Sequence, residues 1–259
     1  MMRVDVYLVK EGYSKSRESA QRSIVAGLVV IDGKTIQKPS EKIDENADHS
    51  VSCENTIAYV GRGGLKLEAA LDAFGIDPSG GICFDVGAST GGFTDCLLKR
   101  GAERVYAIDS GRDQLVKELR DDPRVVSLEG MNARFINYDN FGCYADIIVM
   151  DVSFISQTLI IPRFPVLLNE GGKVVTLIKP QFECGREALG KGGIVKKPEH
   201  RLNAVRRVVG AAKENGLHLC GLIRSPIEGG DGNVEFLAYF KKDSNCLSEE
   251  VVLGGVNYK

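Results

Sequence analysis

The chain has 259 residues, of which 43% are hydrophobic and 26% are charged, and its formal net charge is −2. These values are ordinary for a globular protein with one large domain or with a moderate and a small one. They exclude a uniformly basic nucleic-acid binder. The sequence contains no stretch long and apolar enough to span a membrane, and Met2-Arg3-Val4-Asp5 is not followed by the apolar core of a signal peptide. We therefore expect a cytoplasmic protein.

The cysteines and histidines are scattered along the chain. The seven cysteines are odd in number and form no C-x-x-C pair, and the three histidines are equally dispersed. This distribution predicts reduced, mostly buried thiols rather than a disulfide framework. It also predicts no metal site and no cysteine–histidine nucleophile pair.

The first fifty residues have a local positive charge. Eight basic and five acidic residues between Arg3 and Lys42 give a net charge of +3. The pattern predicts a short helix or extended piece over residues 4–9 and a second helix that is capped by Ser14 or Ser16 and stopped by Gly27. Asp32-Gly33 predicts a hairpin turn between two apolar runs. The polar residues 41–55 are interpreted as the tail of the hairpin and a connection.

This segment resembles the S4-type RNA-binding module in the runs Ser14-Lys15-Ser16-Arg17-Glu18-Ser19-Ala20 and Val30-Ile31-Asp32-Gly33-Lys34. The resemblance implies a small α+β domain over residues 1–55. We expect Lys15, Arg17 and Arg22 to contact RNA phosphates, which supplies affinity without sequence reading. Three such charges alone would more often form a solvated helix face.

A helix follows the bend Gly61-Arg62-Gly63-Gly64, within a linker predicted at residues 56–64. Lys66 lies at its start and, taken alone, would be interpreted as a surface lysine. Next, residues 82–94 combine an apolar strand, the turn Gly87-Ala88-Ser89-Thr90-Gly91-Gly92 and a helix. Glycines allow a ligand to approach the backbone closely, and a helix start presents free N–H groups. The turn lacks both G-x-G-x-x-G and a Walker lysine, which argues against a dinucleotide or phosphate-cradling loop.

Further strands are predicted in alternation with helices, which makes the fold class α/β with a doubly wound sheet. The second strand ends in Asp109, where a carboxylate can accept both hydroxyls of a ribose. The carboxyl ends of parallel strands line one edge, so Asp151 and Lys179 should converge there. Glu235 begins the last strand and reaches the same edge if that strand runs antiparallel. The remaining expectations are a helix beginning at residues 153–156, a loop at 184–197 and a basic helix at 198–215 with Arg201, Arg206 and Arg207 more exposed.

The strand-end motifs resemble those of Rossmann-like class I methyltransferases. Lys66, Asp151, Lys179 and Glu235 match, in order and context, the Lys-Asp-Lys-Glu tetrad of ribose 2′-O-methyltransferases. Together with Tyr59-Val60-Gly61-Arg62-Gly63-Gly64-Leu65-Lys66-Leu67 and Lys179-Pro180-Gln181-Phe182-Glu183, they extend a resemblance to the TlyA family over nearly the whole chain. That family has an S4-type module followed by an FtsJ-like methyltransferase domain, here expected at residues 65–245, with a tail at 246–259.

The resemblance implies methyl transfer from S-adenosyl-L-methionine to cytidine 2′-hydroxyls of ribosomal RNA within ribosomal subunits. Asp85 and Gly87 would line the methionine portion of this cofactor, Asp109 its ribose and Asn132 its adenine. The cofactor-binding set also includes Ala88, Ser89, Gly91, Gly92, Phe93 and Asp151, and the RNA-binding set also includes Arg62 and Arg186.

The tetrad suits this chemistry because a ribose hydroxyl must lose a proton as it attacks a methyl group. A lysine flanked by carboxylates can stabilise the alkoxide or accept the proton. We expect Lys179 at the centre, oriented by Asp151 and Glu235, with Lys66 completing the electrostatics. Which lysine titrates stays open. The alternatives are a pore-forming hemolysin and a ribosome-binding protein with a vestigial enzyme site.

Overall fold

The computed structural model describes residues 1–14, 16–25, 27–53, 59–229, 232–243 and 245–259. Their contacts divide the chain into two compact units, Met1–Arg62 and Gly63–Lys259. Within the described residues, every helix is too short or too polar to cross a bilayer.

The first unit contains two helices and five short strands. In chain order these are β1 (Met2–Arg3), α1 (Val4–Lys10), α2 (Arg17–Val25), β2 (Val29–Ile31), β3 (Lys34–Thr35), β4 (Lys42–Ile43) and β5 (Val51–Cys53). The Ser16 hydroxyl accepts the Ser19 N–H at 3.1 Å and so caps α2, as one of the two predicted caps. The hairpin β2–β3 turns at Asp32 and Gly33, both with positive φ, as a two-residue turn of this kind requires.

The core of the first unit lies between its helices and its hairpin. It is formed by Val4, Tyr7, Leu8, Ala20, Ile24, Val29, Ile31, Ile36 and Ile43. Residues 41–55, interpreted from the sequence as the tail of the hairpin and a connection, also contribute two strands, since β4 pairs with β1 and β5 pairs with β2. These strands are two and three residues long, so their periodicity is too short to detect without their partners.

The second unit is a seven-stranded sheet with helices packed against it. Its elements are α3 (Gly63–Phe74), β6 (Ile82–Val86), α4 (Gly92–Lys99), β7 (Arg104–Asp109), α5 (Lys117–Arg120), β8 (Val125–Glu129), β9 (Ala145–Met150), β10 (Leu168–Ile178), α6 (Pro180–Glu183), α7 (Pro198–Glu214), β11 (His218–Arg224), β12 (Phe236–Lys241) and α8 (Glu249–Gly254). Six single-turn 3-10 helices lie among the connections described.

The strand order β11-β12-β10-β9-β6-β7-β8 confirms the predicted doubly wound sheet. Strands β6 to β10 are parallel, and β12 is antiparallel to β10, as predicted for the last strand. The chain runs outward from β6 through β7 to β8, then returns to the other side of β6 with β9. The switch point between β6 and β9 is where a ligand crevice is expected in such sheets.

Two predictions about the connections are wrong. Residues 153–156 begin no α-helix, because the Phe154 backbone has a positive φ of 63° and only a 3-10 turn, Gln157–Leu159, follows. Arg201 is buried on α7 rather than exposed, since its guanidinium donates to the backbone oxygens of Val195 and Tyr258. Arg206 and Arg207 are exposed, as predicted.

The expectation of reduced thiols is also wrong for one pair. Cys220 on β11 and Cys246 form a disulfide, with Cα atoms 4.8 Å apart. The partners are 26 residues apart in sequence and share no recognisable spacing motif, so their proximity follows only from the return of the C-terminal segment to β11. Cys83, Cys96, Cys143 and Cys184 are reduced thiols, as predicted.

Candidate active site

The backbone at the β6–β9 switch point is very closely packed. Gly87, directly after β6, has a φ of +88°, and a Cβ atom there would lie 2.3 Å from the backbone oxygen of Asp151. Only glycine tolerates both conditions. This contact brings the ends of β6 and β9 together and sets the position from which the Asp151 side chain projects.

A cleft of about 390 Å³ opens at this switch point. Its volume lies in the range of small-molecule sites. The lining includes five of the predicted cofactor residues, namely Gly87, Ser89, Asp109, Asn132 and Asp151. The structure therefore brings Asp109 and Asp151, at the ends of two strands, together with Gly87 and Ser89 of the glycine turn.

The Asp109 carboxylate is held in a fixed orientation at the mouth of this cleft. Its Oδ2 accepts the Ser89 N–H at 2.8 Å, and its Oδ1 accepts the Gly111 N–H at 2.7 Å. Each carboxylate oxygen has capacity for a second hydrogen bond. A diol could use that remaining capacity without displacing either backbone donor.

The other predicted cofactor residues are buried outside the cleft lining. They are Asp85, Ala88, Gly91, Gly92 and Phe93. Gly91 serves packing, since a Cβ atom there would lie 2.3 Å from Leu119 Cδ1.

Asp85 is an unusual carboxylate, because it is fully buried and only half satisfied. Its Oδ2 accepts from the Thr94 hydroxyl at 2.6 Å, while its Oδ1 has no hydrogen-bond partner. Burial raises the pKa of Asp85 to about 7, and the hydrogen bond from Thr94 opposes this shift. A buried carboxylate with a free acceptor costs stability.

Lys179 and Asp151 form an ion pair at the carboxyl edge of the sheet. Lys179 Nζ lies 2.6 Å from Asp151 Oδ1 and donates to the Ser153 hydroxyl at 2.9 Å. The sheet register explains this pairing, because Met150, the last residue of β9, lies beside Thr176, two residues before the end of β10, so Asp151 and Lys179 follow at the same edge.

Lys66 and Glu235 form a second, buried ion pair. Lys66 Nζ donates to Glu235 Oε2 at 2.5 Å, and the two residues are only 7% and 2% exposed. The antiparallel pairing of Ile178 with Phe236 places Glu235 across from Lys179, at the predicted edge. The expectation that Glu235 orients Lys179 is nevertheless wrong, since its carboxylate is bonded to Lys66 instead.

The start of α3 links Lys66 to the rest of this edge. A Cβ atom on Gly63 would lie 3.3 Å from the Phe93 ring and 3.9 Å from Asp151 Oδ2. The first turn of α3 is therefore adjacent to Asp151. All four tetrad residues lie in one region, arranged as two ion pairs rather than around a single central lysine.

Sequence reasoning missed several residues that line the cleft. They are Ser110, Gln114, Ala133, Val152, Ser153, Phe154, Ile155 and Ile160. Phe154 is the most informative, because its side chain is 91% exposed and its ring lies 5.2 Å from that of Phe182. An exposed large aromatic residue on a backbone with positive φ is a local signal of function that only the structure reveals.

The predicted RNA-binding residues have different environments. Arg17 donates to the buried Asp5 at 2.9 Å, beside Arg3, so the two guanidinium groups are held together by one carboxylate. Arg186 is exposed in the loop before α7. Lys15 and the side chain of Arg22 lie outside the described residues, and Arg62 ends the first unit. No group of histidine, cysteine and acidic side chains suited to a metal occurs in the described part of the chain.

Comparison with known families agrees with this geometry. Residues 59–242 match the family of FtsJ-like methyltransferases, and residues 2–49 match the S4 domain. The chain belongs to the FtsJ-like methyltransferase family, with an S4 domain at its N-terminal side. The family match includes all four residues of the tetrad and the whole cleft lining.

Several relatives match most of the chain. It is 45% identical to Hemolysin A of Brachyspira hyodysenteriae over 92% of this chain and 99% of the relative. It is 42% identical to the 16S/23S rRNA (cytidine-2'-O)-methyltransferase TlyA of Mycobacterium tuberculosis over 94% and 91% of the respective chains. A solved hemolysin-type protein from Streptococcus thermophilus superimposes with a TM-score of 0.76 at 42% identity, covering 98% of this chain and 94% of that one.

Proposed function

We propose that the protein transfers a methyl group from S-adenosyl-L-methionine to the 2′-hydroxyl of cytidine in ribosomal RNA, acting on ribosomal subunits in the cytoplasm. The observation that carries this proposal is the pair of lysine–carboxylate contacts beside a cleft bounded by Gly87 and Asp109. Ribose methylation needs such a combination, because an alkoxide must form next to a bound methyl donor.

The residues of the cleft fit this cofactor. The acceptor capacity left on Asp109 suits the two hydroxyls of a ribose, and Asn132 lies on the same lining. Asp85, which is buried outside the cleft lining, has an unpaired Oδ1 that can accept a hydrogen bond from an ordered water at the glycine turn. S-adenosyl-L-methionine, when bound, supplies an electrophilic methyl group on a sulfonium.

Lys179 is the residue that we assign to the attacking hydroxyl. Its ammonium group is held by Asp151 Oδ1 and Ser153 Oγ, so it has a defined position at the strand edge. From there it stabilises negative charge on the ribose oxygen or accepts its proton, while Asp151 keeps the amine oriented. Alignment of the hydroxyl with the methyl group supplies a large further part of the acceleration.

Lys66 and Glu235 contribute to the same site in two ways: their charges add to its electric field, and their ion pair holds its backbone in place. Their ion pair is more deeply buried than that of Lys179 and Asp151, and it fixes the start of α3 against the segment before β12. This arrangement keeps the local net charge near zero and leaves Lys179 as the accessible amine. We therefore assign Lys66 and Glu235 a supporting electrostatic role.

The S4 domain supplies affinity for the RNA. Arg3 and Arg17 share the carboxylate of Asp5 and still expose 41% and 55% of their side chains. Two cations around one buried anion leave a net positive charge that can bind a phosphate. Such contacts recruit RNA without selecting a base, so the selection of cytidine belongs to the methyltransferase domain.

Methyl transfer to ribosomal subunits from cells that lack this protein tests the proposal. We expect the wild-type protein to incorporate labelled methyl groups and to create a position resistant to alkaline cleavage, because a 2′-O-methyl group removes the internal nucleophile. Lys179→Ala should lower the rate about 10²- to 10⁴-fold. The matched control is Lys173→Ala, which removes a lysine from the middle of the same strand, away from its carboxyl end, and should leave the rate unchanged.

Two outcomes would refute this assignment. Label found on bases, with the ribose still sensitive to alkali, would exclude 2′-O-methylation. Equal losses in the Lys179 and Lys173 variants would show that the charge of β10, rather than the position of Lys179, matters. Leakage of lipid vesicles that is unaffected by Lys179→Ala would instead support the pore-forming alternative.

A further inference from the structure

We propose that Glu183 is a positioning residue that sets the geometry of the Lys179–Asp151 pair. It does so by holding residues 151–157, which begin with Asp151, against residues 179–183, which begin with Lys179. The inference rests on the proposed function and adds a residue to that same site. Glu183 belongs to the motif Lys179-Pro180-Gln181-Phe182-Glu183, yet it contacts neither the cleft nor the tetrad.

Both oxygens of Glu183 bind the segment that follows Asp151. Its Oε1 accepts the Gln157 N–H at 2.7 Å, and its Oε2 accepts the Ser156 hydroxyl at 2.6 Å. The Gln157 N–H is at the start of a 3-10 turn, where no carbonyl of the same turn can receive it. Glu183 thus fixes the end of residues 151–157 to the end of α6.

Gln157 reinforces the same connection from within the core. Its side chain is buried, and its Nε2 donates to the Leu177 backbone oxygen at 2.6 Å. Its Oε1 accepts from the Thr176 hydroxyl at 2.8 Å. Four hydrogen bonds therefore connect residues 156–157 to the last three residues of β10 and to α6.

These contacts close a ring around the reactive pair. Lys179 reaches Asp151 and Ser153 at one end of the two segments, and Glu183 reaches Ser156 and Gln157 at the other. Loss of the far contacts frees the Asp151 segment to shift against Lys179. Misplacement of reacting groups by about 1 Å can cost about 100-fold in rate.

The burial of a carboxylate here is costly for a purely structural cap. Glu183 is 2% exposed, and burial raises its pKa while its two hydrogen bonds lower it. The guanidinium of Arg207 on α7 donates to the Glu183 backbone oxygen at 3.1 Å and lies near enough to favour the charged form. Two oxygens in one plane can bind a backbone N–H and a hydroxyl together, a geometry that the carboxamide of glutamine can largely reproduce.

The test compares Glu183→Ala with Glu183→Gln and with a matched control, Asp146→Ala. Asp146 accepts two hydrogen bonds of similar length, 2.8 Å from the Ile82 N–H and 2.7 Å from Asn169, but at the opposite end of β9. The measurements are kcat and KM for both substrates, together with the melting temperature. We expect Glu183→Ala to lower kcat about 10- to 100-fold with KM for the methyl donor within about twofold.

Rescue and folding separate this role from general stability. Glu183→Gln should recover most of kcat, and Asp146→Ala should lower the melting temperature while kcat stays unchanged. If Glu183→Ala does not fold, Ser156→Ala removes only one of the two donors and should still lower kcat several-fold. A normal kcat in Ser156→Ala or Glu183→Ala, or equal kcat losses in the Glu183 and Asp146 variants, would overturn the inference.

Failure of the proposed function has a different signature. A folded wild-type protein that methylates no ribosomal RNA would overturn the proposed function and this inference together. A wild-type protein with normal transfer, a Lys179→Ala variant without transfer and an unimpaired Glu183→Ala variant would overturn this inference alone.

Discussion

The buried ion pair between Lys66 and Glu235 can be tested by a double-mutant cycle. Lys66→Met leaves the carboxylate of Glu235 buried without its cation, and Glu235→Leu leaves the ammonium group of Lys66 buried without its anion. Removing one partner of a buried pair typically costs 3–5 kcal/mol, because the remaining charge is uncompensated. We expect each single variant to lose about that much unfolding free energy.

The double variant Lys66→Met/Glu235→Leu removes both charges and keeps similar volumes. Replacement of a buried pair by apolar residues is often neutral, so we expect a stability within about 1–2 kcal/mol of the wild type. Methyl transfer should remain lost, since the two charges and not only the packing serve the site. Recovery of the fold without recovery of the rate would separate these two contributions of the pair.

Urea unfolding followed by far-UV circular dichroism measures these stabilities, since the chain has no tryptophan for fluorescence. The chain has two units, so two transitions are fitted, and the one with the larger m-value belongs to residues 63–259. Lys117→Met is the control, because its i,i+4 pair with Asp121 is exposed and its loss should leave the stability nearly unchanged. A coupling energy near zero between Lys66 and Glu235 would refute the reasoning.

Three further predictions follow from single side chains. Burial raises the pKa of Asp85 to about 7, so its ionisation destabilises the folded state progressively as the pH rises from about 4 to 7. Asp85→Asn should therefore stabilise the protein at pH 8 by up to about 4 kcal/mol and leave its stability unchanged near pH 3. Destabilisation of this variant at pH 8 in urea titrations would contradict the prediction. The hydrogen bond from Arg3 holds the pKa of Asp5 well below its usual range, so the stability that the ionised Asp5 contributes is present above about pH 4 and is lost on acidification. Asp5→Asn should therefore weaken the decrease in the first unit's unfolding free energy at acidic pH. An unchanged decrease would refute the prediction. Phe154→Ala should leave the melting temperature unchanged, because the ring is exposed, but lower kcat/KM for RNA by the roughly 1–3 kcal/mol of a stacked base; unaltered transfer kinetics would remove Phe154 from the site.

The sheet and its functional edge could be predicted from the sequence, because an apolar run that ends in an acidic residue or a lysine indicates both a buried strand and the polar group at its end. Asp109, Asp151 and Lys179 each directly follow or end a buried strand, and parallel strands present these ends at one edge. Glu235 was predicted to reach the same edge only if the last strand runs antiparallel. The antiparallel pairing of β12 with β10 satisfies this condition.

Partner choice at that edge could not be predicted. Lys66 and Glu235 are 169 residues apart, and several charged groups compete within a few ångströms once the sheet has formed. Sequence order assigns residues to an edge but does not decide which lysine binds which carboxylate. The same limitation explains Arg201, whose burial depends on carbonyl groups of Val195 and Tyr258 that no local pattern connects to it.

The segment after Asp151 shows how long-range contacts override a local pattern. Ser153-Phe154-Ile155-Ser156 was predicted to start a helix, but Ser156 and Gln157 are bound by Glu183 from another segment. That attachment is made with Phe154 in a left-handed conformation, which an α-helix excludes. The departure from the local pattern occurs beside the reactive pair, where strained backbone is commonly found.

The arrangement of two separate ion pairs also bears on which lysine meets the substrate. The side chains of Lys66 and Glu235 are 9% and 2% exposed, whereas those of Lys179 and Asp151 are 12% and 21% exposed. A proton acceptor must reach the ribose oxygen within hydrogen-bond distance, so the more accessible pair, in which Lys179 binds the cleft-lining residues Asp151 and Ser153, is the better placed. A deeply buried ammonium group that is already bonded to a carboxylate instead provides a fixed charge, which stabilises the transition state without exchanging a proton. From the burial of the two pairs we therefore propose that Lys179 takes up the proton and that Lys66 supplies a fixed positive charge.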